Sequence, residues 1–366
     1  MEKEKASKVF TKEGTANWFK RHKKLVIILS VVGVLLISGG VATALYFVNK
    51  KPEVKQTVAV KKVVPEVPMK YYGLLTGEEV PDSNAAVATI TGVMIENSTD
   101  ARPQSGLKES GVVFEAIAEG GITRFMVLYQ QQKPQLIGPV RSVRLYDVDW
   151  LKPFEAGLGH VGGSLNALNE IRNGQYRDLD QFFNSQYYWR ATDRYAPHNV
   201  YTSFEKLDAL NVAKGFMSSS EAKSFDRVDS KASTTPTAST INVTISSATF
   251  NSAYTYNTAS NTYDRSQAGA PHLDRESGQI SPRVVIIMKV AQEQVFEDGY
   301  REKITTIGSG EAHIFQDGVE KTVTWHKDSK ESQIYFTDAD SKPVSLARGQ
   351  TWITAIPSDT GSVTWQ

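Results

Sequence analysis

Gly120-Gly121-Ile122-Thr123-Arg124-Phe125-Met126-Val127-Leu128-Tyr129, then Lys133-Pro134, then Leu136-Ile137-Gly138-Pro139-Val140-Arg141-Ser142-Val143-Arg144, is the stretch on which the fold of the first half turns. Its first run, rich in β-branched and aromatic residues, reads as a strand, Lys133-Pro134 as a turn, and the last run as a return strand. An antiparallel hairpin around that turn sets Arg124 opposite the segment from Arg141 to Arg144, whichever loop length is used. Like charges facing each other across a ladder are destabilising, so the three arginines require anionic neighbours or an anionic ligand. The guanidinium fork suits phosphate or carboxylate. Two readings stay open. Glu115, Glu119, Asp147 and Asp149 are near enough in sequence to neutralise the cluster internally, or the cluster is an anion-binding site.

Outward from this stretch, the chain of 366 residues with 40% hydrophobic content has room for two ordinary domains with real cores. It contains no cysteine, so neither a disulfide framework nor a lipidated cysteine is available. The net charge of +1 hides a split. Up to Lys62 there are 13 Lys and Arg against 4 Asp and Glu; the remainder has 28 against 36. An acidic main body argues against nucleic acid as a partner. The basic part surrounds residues 25–48, an uncharged and mostly apolar run long enough to cross a bilayer. Lys20, Arg21, Lys23 and Lys24 before it predict a cytoplasmic N-terminus and everything beyond Val48 outside, although Lys50, Lys51 and Lys55 weaken the asymmetry. Val41-Ala42-Thr43-Ala44 offers an alternative, cleavage after Ala44; the continuation of the apolar run through Leu45-Tyr46-Phe47-Val48 favours an uncleaved anchor.

The expected organisation is a basic cytoplasmic tail (1–24), a transmembrane helix (25–48), an extended spacer (49–70), a mixed α/β domain (71–215), a Ser/Thr-rich linker (216–240) and a β-rich domain (241–366). The fold class is α+β, with an antiparallel all-β C-terminal domain and one N-terminal transmembrane helix. In the first domain, residues 89–95 and 112–118 read as strands, Leu145, Val148 and Leu151 as a helix stopped at Pro153, and Ser164 as the cap of a helix ended by Asn173-Gly174. Thr202 with Glu205 reads as a capping box. In the second, strand follows strand, with turns at Asp298-Gly299 and Asp317-Gly318.

Two further constellations carry chemistry. His160-Val161-Gly162-Gly163-Ser164 is a strand, a glycine turn and a helix start, either an ordinary capped turn or an anion site at Gly163 and Ser164 with His160 at its lip. Ser164 is a poor candidate nucleophile, because Asn166 stands where a nucleophile elbow places glycine. In Asp193-Arg194-Tyr195-Ala196-Pro197-His198-Asn199-Val200-Tyr201, the residues Asp193, His198 and Tyr201 could act as orienter, base and donor, or could satisfy backbone groups in a buried loop. Glu119, Asp193 and His198 are the catalytic candidates. The ligand-binding candidates are Arg124, Arg141, Arg144, His160, Gly163, Ser164, His198, Asn199 and Tyr201. No histidine spacing suggests a metal, and no cofactor is expected.

Several of these stretches together resemble the YerB-like bacterial lipoproteins, a domain of unknown function numbered 3048. The similarity rests on 102–107 (Arg-Pro-Gln-Ser-Gly-Leu), 119–125 (Glu-Gly-Gly-Ile-Thr-Arg-Phe), 138–142 (Gly-Pro-Val-Arg-Ser) and 197–202 (Pro-His-Asn-Val-Tyr-Thr). It continues in 271–274 (Pro-His-Leu-Asp), 308–310 (Gly-Ser-Gly) and 349–353 (Gly-Gln-Thr-Trp-Ile). The resemblance implies an N-terminal and a C-terminal domain on the outer face of a bacterial membrane and carries no activity with it. Two departures stand out: the anchoring cysteine common in such proteins is missing, and Val323-Thr324 replaces the usual glycine before Trp325. The leading expectation is a non-enzymatic envelope protein that binds an anionic glycan or lipid-linked phosphate. The alternatives are an enzyme acting on a phosphate- or pyrophosphate-linked precursor, and a scaffold presenting the β domain to a protein partner.

Overall fold

The computed structural model describes residues 20–49, 69–295 and 301–366. The expected turn at Asp298-Gly299, residues 50–68 of the expected spacer and residues 1–19 of the expected tail lie outside the described residues. The chain divides into two compact units, Met1–Val67 and Pro68–Gln366.

In the first unit, α1 (Lys23–Asn49) is a 27-residue helix, about 40 Å long at about 1.5 Å per residue, and long and apolar enough to cross a bilayer. Its Ser30, Ser38 and Thr43 hydroxyls donate to Val26, Val34 and Gly39 carbonyl oxygens one turn back. These polar groups are therefore satisfied within the helix, as an apolar solvent requires.

The second unit is built on a 12-stranded sheet. Its strands are β1 (Thr91–Glu96), β2 (Val112–Glu119), β3 (Ile122–Tyr129), β4 (Gly157–Gly159), β5 (Arg177–Asp178), and, after the small-sheet strands β6 (Thr240–Thr244), β7 (Ser252–Asn257) and β8 (Thr262–Gln267), β9 (Val284–Val290), β10 (Gly308–Gln316), β11 (Val319–Lys327), β12 (Tyr335–Thr337) and β13 (Thr351–Pro357). The order is β12-β11-β10-β9-β13-β2-β3-β1-β4-β5, with a ribbon of Gln292–Val295 and Arg301–Ile304 attached to β2. Strand β14 (Ser362–Trp365) completes a five-stranded sheet with β6, β7, β8 and Ala270–Pro271.

The central strands are mostly apolar because both faces of the sheet are covered. On one face Met94, Phe114, Met126, Ile286 and Ile353 pack under α2 (Leu145–Leu151) and α3 (Leu165–Asn173), with Trp150 stacked on Phe114 at 5.4 Å. On the other, Val93, Val113, Val127, Ile287 and Trp352 meet the small sheet and α4 (Phe204–Ala213). Each such fully buried side chain contributes about 1.5–3 kcal/mol.

The α+β class holds, and its details differ from the sequence reading in four places. First, the return strand does not form. β3 turns back on β2 through Gly120 and Gly121, both at positive φ, a two-residue turn matched to strand twist. Its other neighbour is β1, so Arg124 faces Ala116 and Glu96 rather than the segment from Arg141 to Arg144. Pro139 deprives residues 136–144 of a ladder donor, and that segment makes isolated bridges such as Ile95 with Val140 and Val143 with Gly163. Second, β13 is parallel to both β9 and β2, so the C-terminal segment is not purely antiparallel. Third, because β13 sits between strands of the two segments, the segments 71–215 and 241–366 share one sheet rather than folding as separate bodies. Residues 216–240 are correspondingly fixed. Phe225 and Ala238 are buried, Arg227–Val228 pairs with Leu346–Ala347, and the Arg227 guanidinium donates to Leu75, Ala347 and Gly349 carbonyl oxygens and to Thr351 Oγ1. Fourth, the cap of α4 is Ser203, which accepts from Lys206 N–H, and not Thr202.

Candidate functional site

The arginine cluster is settled by a bulge. Between Ile117 and Glu119 the β2–β3 register slips, so Glu119 pairs with Ile122 and lies on the face of Arg124. Its carboxylate takes Arg124 Nη2 at 2.7 Å on one oxygen, and Arg144 Nε at 3.0 Å together with Arg144 Nη2 on the other. Both arginine side chains are only 3–4% exposed. Burial pushes the Glu119 carboxyl up, but the two guanidinium charges outweigh it and hold the group at about 2. For Asp147, whose carboxylate accepts Arg144 N–H at 2.8 Å, burial outweighs that bond and the Arg124 and Arg144 charges and raises the group to about 7. Arg124 and Arg144 thus converge, but on a protein carboxylate. Arg141 goes elsewhere, with Nε 3.3 Å from Glu96 Oε1.

The glycine turn is likewise spent on the protein. His160 is fully buried, with Nδ1 2.8 Å from Gly162 O and Nε2 3.1 Å from Asp178 Oδ1, so it is no lip of a cleft. The buried Asp180 carboxylate already accepts Gly162 N–H at 3.1 Å, in the place expected for an anion. Ser164 caps α3 through Ala167 N–H, as its spacing predicts, and Gly163 bridges Val143.

Arg144 and Ser164 also line a cleft of about 780 Å³, and a second open site lies at residues 189–201. Asn199 organises this loop: its Nδ2 donates to Ala191 O at 3.0 Å and Arg194 O at 3.3 Å, and its Oδ1 accepts Arg190 Nη1 at 2.8 Å. The loop so closed carries His198 to the end of β1, where Nδ1 lies 2.9 Å from Glu96 Oε1. The same oxygen accepts Ser98 Oγ at 2.9 Å. Glu96, not Asp193, therefore orients His198.

A cleft of about 600 Å³ opens beside His198, walled by Asp100, Arg102, Pro103, Asp193, Arg194, Tyr195 and Arg275. Arg194 spans it by donating to Asp100 O at 2.9 Å and Pro103 O at 2.6 Å. Arg102 is held by Asn97 and by Thr249 O, and lies over the Phe250 ring. Arg275, set by its N–H to Gln104 O, binds Asp193 at 2.6 Å and holds that carboxyl below the usual range. On the far side of this ion pair a second hollow of about 370 Å³ is lined by Trp189, Arg190 and Tyr201. Three guanidinium groups face two carboxylates in the His198 cleft, which leaves one positive charge over. No group of three or more His, Asp or Glu suited to a metal occurs among the described residues.

Of the site residues named from the sequence, His198 and Asp193 line that cleft, Tyr201 lines the second hollow and Asn199 braces the loop; Glu96, Arg102, Arg194 and Arg275 were not among them. Glu96 carried one signal, an acid closing the apolar run Val93-Met94-Ile95. Arg275 stands in the other segment, too distant for any local pattern.

Comparison with known proteins agrees with this architecture. The structure superposes on the crystal structure of YerB protein from Bacillus subtilis with a TM-score of 0.71 and 27% identity, covering 81% of this chain and 100% of that one. In sequence the chain is 30% identical over 305 residues to the Bacillus subtilis protein named "Putative lipoprotein YerB", covering 81% of this chain and 89% of that protein. Residues 75–217 match the model described as "Protein of unknown function (DUF3048) N-terminal domain", and residues 241–353 match its C-terminal counterpart. With both parts present in order and the shared sheet running through them, the chain belongs to the DUF3048 family.

Proposed function

We propose that this is an extracytoplasmic protein, anchored by α1 with its N-terminus inside, that binds an oxyanion-bearing ligand in the His198 cleft. The apolar helix and the likeness to a protein named as a lipoprotein fit envelope association. The observation that carries the binding reading is Arg194, whose fork reaches across the cleft while its hydrogen bonds go to the backbone carbonyl oxygens of Asp100 and Pro103. A guanidinium in that state keeps its full charge and further donors for phosphate or carboxylate. Arg275 and His198 complete the set, and Arg102 adds field from below.

Pyrophosphate titrated calorimetrically into the full-length protein in neutral-detergent micelles tests this. Arg194→Ala should weaken binding by about 1.5–3 kcal/mol, the range for hydrogen bonds to charged groups. Raising salt should weaken binding further. Equal affinity of wild type and Arg194→Ala, or no binding by either, would refute the reading.

A further inference from the structure

Resting on that binding reading, we propose that His198 is the general base of a phosphoester hydrolysis carried out in this cleft, with Glu96 as its positioning residue. The other buried histidines show what a structural histidine looks like here. His160 spends its nitrogens on Gly162 O and Asp178, His272 on Arg265 and on Gln104 at 3.0 Å, and His313 on Glu320 at 2.7 Å and Glu311 at 3.2 Å. His198 differs. Nδ1 is engaged by Glu96 at 2.9 Å, but Nε2 has only Asp100 Oδ2 at 3.9 Å, beyond hydrogen-bond reach. The imidazole is one wall of the cleft and its side chain is 21% exposed, against 4% for Glu96.

This is the geometry of a carboxylate–imidazole pair aimed at a substrate. An ionised carboxylate only accepts hydrogen bonds, so Nδ1 carries the proton and Nε2 presents its lone pair to the cleft. Ser98 Oγ at 2.9 Å and Arg141 Nε at 3.3 Å brace the Glu96 oxygen that His198 contacts, and Ser98 Oγ also lies 3.2 Å from His198 Nδ1. Arg194 and Arg275 line the same cleft as His198, and their donors would stabilise charge that develops on the non-bridging oxygens of a phosphate ester held there.

The step balances without a redox partner. A water oxygen attacks phosphorus while Nε2 takes its proton, and the bond from phosphorus to the ester oxygen breaks. The imidazolium then returns that proton to the leaving oxygen. One water is consumed, and an alcohol and a phosphate are released.

Hydrolysis of p-nitrophenyl phosphate and bis(p-nitrophenyl) phosphate by the full-length protein in neutral detergent tests the proposal, with pyrophosphate binding measured in parallel. The expected result is turnover by wild type of at least one ester, reduced about 10²–10⁴-fold by His198→Ala. Glu96→Gln should lower kcat at an unchanged calorimetric stoichiometry of pyrophosphate binding, a combination that loss of folded protein does not produce. Pyrophosphate binding with no hydrolysis of either ester overturns the acid–base role and leaves the binding reading standing. Wild-type turnover by His198→Ala overturns it equally. Absence of both binding and hydrolysis overturns the two together.

Discussion

Replacing Glu119 with glutamine separates a structural arginine cluster from a ligand-binding one. The carboxylate is shared by Arg124 and Arg144, both almost fully buried, and the variant keeps its shape while removing its charge. A carboxyl moved from 4.5 to about 2 corresponds to about 3 kcal/mol at about 1.4 kcal/mol per factor of ten. The sign follows from the direction. A depressed carboxyl contributes stability that is complete above its unfolded value of 4.5 and is lost as pH falls towards about 2. Asp147 acts oppositely: raised from 3.8 to about 7, it binds a proton in the fold that the unfolded chain has released, so stability falls as pH rises through that window. Urea unfolding should therefore be read at two points. At pH 7 Glu119→Gln should cost about 3 kcal/mol, and between pH 4 and pH 2 the wild type should lose stability that the variant has already lost. Pyrophosphate affinity of the folded variant should be unchanged. A cost below about 1 kcal/mol at pH 7, or an identical acid limb in both proteins, would refute the argument; weakened pyrophosphate binding would return the cluster to the site.

Glu115→Ala should destabilise by about 3–5 kcal/mol, because it leaves the Arg265 guanidinium, 0% exposed, without its carboxylate at 2.8 Å; Glu115→Leu combined with Arg265→Met should cost far less, and equal costs by urea unfolding would show that the pair is not the reason. Protease added to intact cells should digest the unit from Pro68 onward; full protection of that unit would overturn the N-in, C-out orientation.

Local grammar was legible where one residue type answers one backbone need. Ser164 before α3, Gly174 after it and Asp317-Gly318 between β10 and β11 all stand where their caps and turn require them. The misreading at Gly120-Gly121 came from counting both glycines into a strand when their positive φ makes them the turn. Composition misled at 216–240 for a different reason. The segment is poor in large apolar side chains, yet Arg227 ties it down through bonds to backbone acceptors, a contribution no hydropathy pattern records. The cleft was half legible. Asp193 and His198 share one loop, but their partners Arg275 and Glu96 are supplied by chain 82 and 102 residues away.

Those long separations place the cleft on the seam between the two segments, and the buried polar groups explain why it is held there. Arg265, from the small sheet, binds Glu115 on β2, and Trp352 on β13 donates to the same carboxylate at 3.0 Å. The other Glu115 oxygen accepts Thr123 Oγ1 at 3.3 Å, which in turn accepts Asn97 Nδ2 at 2.6 Å. Asn97 Oδ1 then receives Arg102 Nε at 3.1 Å, at the wall of the cleft. An unbroken polar chain thus runs from the interior to an arginine in the cleft wall, inside a low dielectric where each member is costly to leave unpaired. Arg102 closes the circuit by donating to Thr249 O of the C-terminal segment. Neither segment alone can build this wall: without β13 and Arg265, Glu115 is a buried unpaired acid, and without Glu115, Arg265 is a buried unpaired base. The two family-matched parts are therefore one folding unit because the same charges that join their cores also set the cleft.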